Sequence, residues 1–215
     1  MIRYATPAFI EGFSTEREDA MPEGIILPVQ THSCNVAVVC GSQAEYPETD
    51  ALVTDKAGVM IGIRTADCVP VLLYDDVRHV VAAVHAGWRG TVGGITRKAV
   101  DVMVSEFGCR PADTHAIIGP SISPEAFEVG NEVVEQFMRA GFPDEIVLRN
   151  YPKPHIDLWR ANQWLLTEAG VPAEQIEVAG LCTYTNTNRF FSARREGIST
   201  GRLVSGIKIE SGKLP

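Results

Sequence analysis

Val69-Pro70-Val71-Leu72-Leu73-Tyr74 and His79-Val80-Val81-Ala82-Ala83-Val84-His85 are two almost unbroken apolar runs, parted only by Asp75-Asp76-Val77-Arg78. Short runs rich in Val, Ile and Leu and bounded by Asp, Gly and Pro read as strands. A half-exposed strand alternates apolar with polar residues. These do not, so both of their faces are buried. Working outward, residues 51–54 and 58–64 are further short runs of the same kind. Residues 25–39 read as strand, turn, strand, with Ile25-Ile26-Leu27-Pro28-Val29 leading to Val36-Ala37-Val38-Val39. Ile176–Leu181 and Leu203–Ile209 read as closing strands.

After residue 94 the period changes. Ile95, Ala99, Val102, Met103 and Phe107 fall on one helical face that ends at Gly108. A second helix is expected after Ser123-Pro124, burying Val129, Val133, Val134, Phe137 and Met138. A third starts from Asp157 as N-cap, buries Leu158, Ala161, Trp164 and Leu165, and stops at Gly170-Val171-Pro172. Strands gathered early with helices later predict an α+β layered fold, not a regular βαβ alternation.

The whole chain sets limits on what this fold does. Its 215 residues suffice for one core, so a single domain over 1–215 is expected. Hydrophobic residues make up 45% and charged residues 21%, an ordinary globular balance that excludes a disordered chain. A net charge of -8 argues against a nucleic-acid partner, which a basic face would meet. It does not argue against a small anion held by a few arginines. The N-terminus, Met1-Ile2-Arg3-Tyr4-Ala5-Thr6-Pro7, has no apolar run of signal-peptide length, and no stretch is long enough to span a membrane. Five cysteines without a Cys-x-x-Cys pair indicate neither a disulfide framework nor a zinc ribbon, so a cytoplasmic protein is expected.

Three side chains stand where strand-like runs end: His32 in Gln30-Thr31-His32-Ser33, Cys68 in Thr65-Ala66-Asp67-Cys68, and His85 in Val84-His85-Ala86-Gly87-Trp88-Arg89-Gly90. Singly, each has an ordinary structural explanation, because cysteines are mostly buried and histidines at strand ends are mostly satisfied polar groups. Together, two imidazoles and a thiolate are the ligand set of a catalytic zinc with one open position, which lowers the pKa of a bound water to roughly 7. Their separations of 36 and 17 residues mean that the fold must assemble them. Asp67 could orient a histidine or act as general base, although an aspartate in a strand-end turn is more often a cap. The glycines from Gly87 to Gly94 let a backbone approach a ligand closely, and the following helix start favours anions. Arg89 lies in that loop. Arg194 and Arg195 follow Phe190-Phe191-Ser192-Ala193, and Gly201-Arg202 comes soon after. Arginines set among Gly, Ser and Thr suit phosphate or carboxylate, though such runs are more often solvated edges. Cys182 reads as core, and Cys34, Cys40, Cys109, His79, His115 and His155 read as structural or exposed.

These blocks resemble a known family. The resemblance rests on Gln30-Thr31-His32, Thr49-Asp50-Ala51-Leu52-Val53-Thr54, Thr65-Ala66-Asp67-Cys68-Val69-Pro70-Val71, Val84-His85-Ala86-Gly87-Trp88-Arg89-Gly90 and Ile118-Gly119-Pro120-Ser121-Ile122. Toward the C-terminus it adds Asp157-Leu158, Leu181-Cys182-Thr183-Tyr184, Phe190-Phe191-Ser192 with Arg194-Arg195, and Thr200-Gly201-Arg202. The family has been called laccase-like polyphenol oxidoreductase, peptidoglycan editing factor and purine nucleoside phosphorylase, and the likeness covers roughly residues 25–209. It implies a four-layer α/β/β/α sandwich similar to the deamidase domain of cytotoxic necrotizing factor. It also implies zinc on His32, Cys68 and His85, phosphorolysis of adenosine, inosine and methylthioadenosine, and adenosine deamination. The expected catalytic residues are Asp67, Cys68 and His85, and the expected contacts to phosphate or ribose are Arg89, Arg194 and Arg195. The N-terminal region is shorter than the family's usual one, and its Arg-x-Gly-Gly block is degenerate here as Gly12-Phe13-Ser14-Thr15-Glu16-Arg17-Glu18.

Other functions use the same residues. Cys68 activated by His85 would make a thiol hydrolase or amidase acting on a muropeptide precursor. In that case His32 is dispensable, whereas a metal site needs it. Copper at the same three residues could oxidise phenols. Five histidines without a His-x-His pair cannot build several copper centres. A metal-binding scaffold without turnover is a fourth possibility.

Overall fold

A computed structural model describes residues 1–41 and 45–212. In chain order the strands are β1 (Ile2–Arg3), β2 (Ile10–Ser14), β3 (Val36–Val38), β4 (Ala51–Thr54), β5 (Met60–Thr65), β6 (Val69–Asp75), β7 (Val80–Ala86), β8 (Thr114–Ile118), β9 (Val147–Leu148), β10 (His155–Ile156), β11 (Ile176–Val178) and β12 (Leu203–Ile209). The helices are α1 (Trp88–Val92), α2 (Ile95–Phe107), α3 (Asn131–Arg139), α4 (Leu158–Glu168) and α5 (Ala193–Glu196).

Mixed α and β layers result, as expected. A six-stranded sheet runs in the order β11-β8-β6-β7-β4-β3, with parallel pairs at its two edges and antiparallel pairs between. An antiparallel sheet runs β1-β2-β12-β5. Alternation along β6 and β7 explains why those runs are apolar throughout. Val69, Val71, Leu73, Val80, Ala82 and Val84 join a core with Ile95, Ala99, Met103 and Leu165 of the helices. Leu72, Tyr74, Val81 and Ala83 face the other way and meet Ile61, Ile63, Ile207 and Ile209 of the second sheet. Truncating a residue such as Leu72 to Ala would cost about 2–5 kcal/mol, since the close-packed seam cannot collapse around the gap.

Several expectations change. Ile25–Val29 is not a strand: Ile26 makes one bridge to Ile61, and Pro28 has no N–H to continue a ladder. The helix expected from Ser123-Pro124 begins at Asn131 instead. Residues 123–127 form turns, Glu128 bridges to His155, and Val129 donates to the Pro154 carbonyl, which commits that stretch to extended pairing. The closing strand expected at Ile176–Leu181 is present as β11, and its neighbour β8, unexpected from the sequence, also joins the large sheet after the helices begin. Asp157 does cap α4, its carboxylate accepting from the Arg160 N–H at 2.9 Å, which contributes about 1 kcal/mol.

For the site, the register of β6 and β7 matters most. Val69 pairs with Ala86 and Pro70 with His85. Cys68 therefore ends up beside His85 at the rim of the sheet. His85 shares the facing of Val81 and Ala83, toward the seam between the sheets.

Candidate metal centre

His32 lies in a loop whose shape is set by a buried carboxylate. Its φ is 60°, a left-handed value that costs a non-glycine residue about 1–3 kcal/mol. That turn aims three consecutive N–H groups at Asp50: Thr31 at 3.1 Å, His32 at 3.1 Å and Ser33 at 2.8 Å. The Ser33 hydroxyl donates at 2.7 Å, and Nδ1 of His85 lies 2.7 Å from Oδ1. Burial alone would raise the Asp50 pKa. The hydrogen bonds from His85, Ser33 and the backbone of Thr31 and Ser33 outweigh it and hold the carboxyl well below its usual range.

With Nδ1 engaged by Asp50, His85 presents Nε2 to its neighbours, the arrangement of a carboxylate-oriented ligand histidine. One ligand atom each from His32, Cys68 and His85 lie within 4.8 Å of one another. Cys68 Sγ is 3.9 Å from His32 Nε2, and ligands at zinc-like bond lengths around a tetrahedral ion sit about 3.5 Å apart. A small inward shift therefore suits the donors to a single ion. Gly87 keeps that space open, because a Cβ there would come within 3.0 Å of the His32 ring and 3.1 Å of Cys68 Sγ. Exposure is graded: His85 is buried, Cys68 half-buried and His32 exposed, so the centre opens on the His32 side. Burial works against the Cys68 thiolate, but His85 and His32 outweigh it and lower the pKa to about 6. Burial also works against a charged His85, yet Cys68 and Asp50 raise its pKa to about 9. Among the described residues this is the one such grouping of His, Cys, Asp or Glu.

Asp67, also with a left-handed φ of 85°, turns the other way. Its buried carboxylate accepts from Thr183 Oγ1 at 2.6 Å, Ser192 Oγ at 3.0 Å and the Arg194 N–H at 2.7 Å. The carboxylate oriented on the histidine is thus that of Asp50, while Asp67 pins residues 183–194. Arg195 reinforces that strap by donating to the carbonyls of Thr183, Tyr184 and Phe190. Arg194 donates to the Glu128 carbonyl, and Arg89 is exposed over the Trp88 ring at 4.4 Å. Glu16 and Arg17 of the degenerate block bind the same region through Arg189, Phe190 and Glu196, while Thr15 Oγ1 accepts from the Val204 N–H of β12.

Between the strap and the His32 loop opens a cleft of about 560 Å3 that reaches His32, Cys68 and His85. Its walls carry Pro28, Val29, Ala193 and Ile198, and its arginines are Arg64 and Arg202. Arg89, Arg194 and Arg195 are not among its lining residues, and neither is any residue from Gly12 to Glu18. Sequence reasoning singled out neither Asp50 nor Arg64. The available signal for Asp50 was an acid immediately before the apolar Ala51-Leu52-Val53 of a buried strand; Arg64 carried none. The other histidines serve elsewhere, His115 stacking on Tyr74 at 4.8 Å and His79 edge-on to Phe9 at 5.2 Å. Cys182 is buried, its sulfur accepting from the Ser123 N–H at 3.3 Å.

Two packed sheets with helices on one outer face, and a His-Cys-His grouping at the rim of their seam, define a candidate mononuclear metalloprotein. A sequence model of the family described as multi-copper polyphenol oxidoreductase laccase matches residues 14–210, and the chain belongs to that family. A purine nucleoside phosphorylase of Bacteroides thetaiotaomicron is 47% identical over 201 residues, covering 88% of this chain and 74% of the relative. Adenosine deaminase RL5, from an unknown prokaryotic organism, is 45% identical over 197 residues, covering 86% of this chain and 75% of the relative. The crystal structure of YlmD from Geobacillus stearothermophilus superposes with a TM-score of 0.86 at 28% identity, covering 95% of this chain and 94% of that one. No described helix is long and apolar enough to cross a membrane.

Proposed function

We propose that this protein is a zinc-dependent purine nucleoside phosphorylase acting on adenosine, inosine and methylthioadenosine, and that the same cleft deaminates adenosine. The observation carrying this reading is the His32-Cys68-His85 grouping, oriented by Asp50 and opening on a cleft of nucleoside size. The names of the relatives supply the reaction class. His32, Cys68 and His85 would hold the ion, which would supply Lewis-acid polarisation at its open position. Copper would bind the same donors, but one grouping among the described residues does not make a multi-copper array.

In phosphorolysis a phosphate oxygen forms a bond to C1′ as the C1′–N9 bond breaks. The electron pair leaves with the purine, which takes up a proton. In deamination water replaces the C6 amino group, which leaves as ammonia. Asp50 holds His85 in one tautomer, and Asp67 fixes the strap that brings Ala193 to the cleft wall. Val29 and Ile198, apolar and exposed at the cleft, offer surface that a purine ring would cover.

A second reading has a specific observation behind it. Asp50, His85 and Cys68 stand in line as an acid-base-thiol array with a thiolate favoured near neutrality, the arrangement of a Cys-His hydrolase. His32→Ala separates the two. Loss of about one bound zinc per chain together with phosphate-dependent base release supports the phosphorylase; a metal-free, thiol-dependent hydrolase that survives the change replaces it.

A further inference from the structure

Four arginines are candidates from sequence for holding an anion near this centre, three of them hydrogen-bonded and one stacked, and the cleft adds a fifth. Arg194 and Arg195 bind backbone carbonyls of the strap region, Arg89 stacks on Trp88, and Arg202 curls onto the carbonyls of Ile198, Thr200 and Gly201. Arg64 differs. Its backbone is clamped by the Gln30 amide, with Arg64 N–H to Gln30 Oε1 at 2.7 Å and Gln30 Nε2 to the Arg64 carbonyl at 2.8 Å. Among the described residues its guanidinium has no hydrogen bond or ion pair, and it lines the cleft that reaches the three ligands. Gln30 is two residues from His32, so one short loop fixes both the ligand and the base of this arginine.

A second observation comes from the next residue. Thr65 also lines the cleft, is 2% exposed, and its Oγ1 has no hydrogen-bond partner among the described residues. That Oγ1 is closed to solvent and leaves the opposite face of β5 from Arg64. A buried hydroxyl without a partner costs about 1–3 kcal/mol, which an oxyanion or water reaching it past the cleft wall would recover. Among the described residues no carboxylate lines the cleft, in a chain with 27 acidic against 19 basic residues. An uncommitted fork, an unpaired hydroxyl and no competing acid form an oxyanion site on an otherwise acidic protein.

We infer that Arg64, assisted by Thr65, is the anchor for inorganic phosphate in this cleft. The inference rests on the phosphorolytic reading for the identity of the anion, and on the residues themselves for the site. Arg64 acts by binding the co-substrate, so its loss raises the phosphate requirement and spares the reaction that needs only water.

The test uses full-length, metal-loaded protein carrying Arg64→Ala, Arg64→Lys or Thr65→Val. Inosine phosphorolysis is followed against phosphate concentration, adenosine deamination without phosphate, and inorganic phosphate binding by equilibrium dialysis. Arg64→Ala should raise the phosphate KM about tenfold or more, and Arg64→Lys by less because a point charge replaces a bidentate fork. Thr65→Val should raise it about threefold, with deamination kcat/KM within about threefold of wild type in all three. A phosphate KM unchanged in Arg64→Ala, or an equal fall in both reactions, overturns the inference while leaving the phosphorylase intact. If wild type lacks phosphorolysis yet binds phosphate about tenfold more tightly than Arg64→Ala, the proposed function falls and the anion site stands. Wild-type protein that binds no phosphate overturns the inference outright.

Discussion

Asp50 and Asp67 are both buried carboxylates beside the same three candidate ligands, and they face opposite tasks. Asp50 gathers the Thr31–Ser33 backbone, the Ser33 hydroxyl and the His85 ring. Asp67 gathers Thr183, Ser192 and the Arg194 N–H from the far end of the chain. The first builds the ligand set and the second builds a wall of the cleft. Adjacency to a ligand in sequence is therefore a poor guide to role: Asp67 is Cys68's neighbour, but Asp50 is the one bonded to a ligand.

The hardest test of this contrast is Asp50→Asn. An amide cannot accept all five hydrogen bonds, and its NH2 group would face donors. We expect metal affinity to fall about 10–100-fold and stability to fall by about 3–5 kcal/mol, measured by metal competition titration and urea unfolding. Because the Asp50 pKa is depressed in the folded protein, its stabilisation is present above the ordinary carboxylate pKa and is lost as pH falls through the folded value. The acid limb of wild-type stability should accordingly be steeper than that of Asp50→Asn. Asp67→Asn should cost about 1–3 kcal/mol and raise the nucleoside KM, with metal affinity within about threefold of wild type. Equal loss of metal in the two variants would erase the distinction.

A smaller effect concerns protons at the ligands. Metal must displace a proton from His85 below about pH 9, and from Cys68 as well below about 6. Apparent metal affinity should thus weaken as pH falls and weaken more steeply below about 6, read by chelator competition across pH 5–8. The smallest effect is expected at Arg89, which is exposed and outside the cleft lining. Arg89→Ala should change the phosphate KM less than twofold and stability by about 0.5–1 kcal/mol, the worth of its contact with Trp88. A large rise in phosphate KM would restore Arg89 as the phosphate contact expected from sequence.

Much of this was legible beforehand where the signal was local. The β6 and β7 runs, the Asp157 cap and the strand Leu203–Ile209 follow from period and punctuation alone. The grouping of His32, Cys68 and His85 was legible as a candidate because each ends a strand-like run. What escaped is non-local. β2, with Glu11 and Gly12 inside it, becomes a strand only by pairing with β12 near the other end of the chain. Asp50 shows its role only when the His32 loop folds back across it. Arg64 stands out only once the cleft is assembled and the arginines expected from sequence have been traced to their partners.

One consequence of Asp67 concerns timing. All three ligands lie within the first 85 residues, whereas the strap that Asp67 captures lies 116–127 residues beyond it. On the ribosome the donors emerge well before the wall, with Thr183 following Asp67 by 116 residues. Over that interval the growing chain must carry a thiol and two imidazoles before the enclosure that shields them exists.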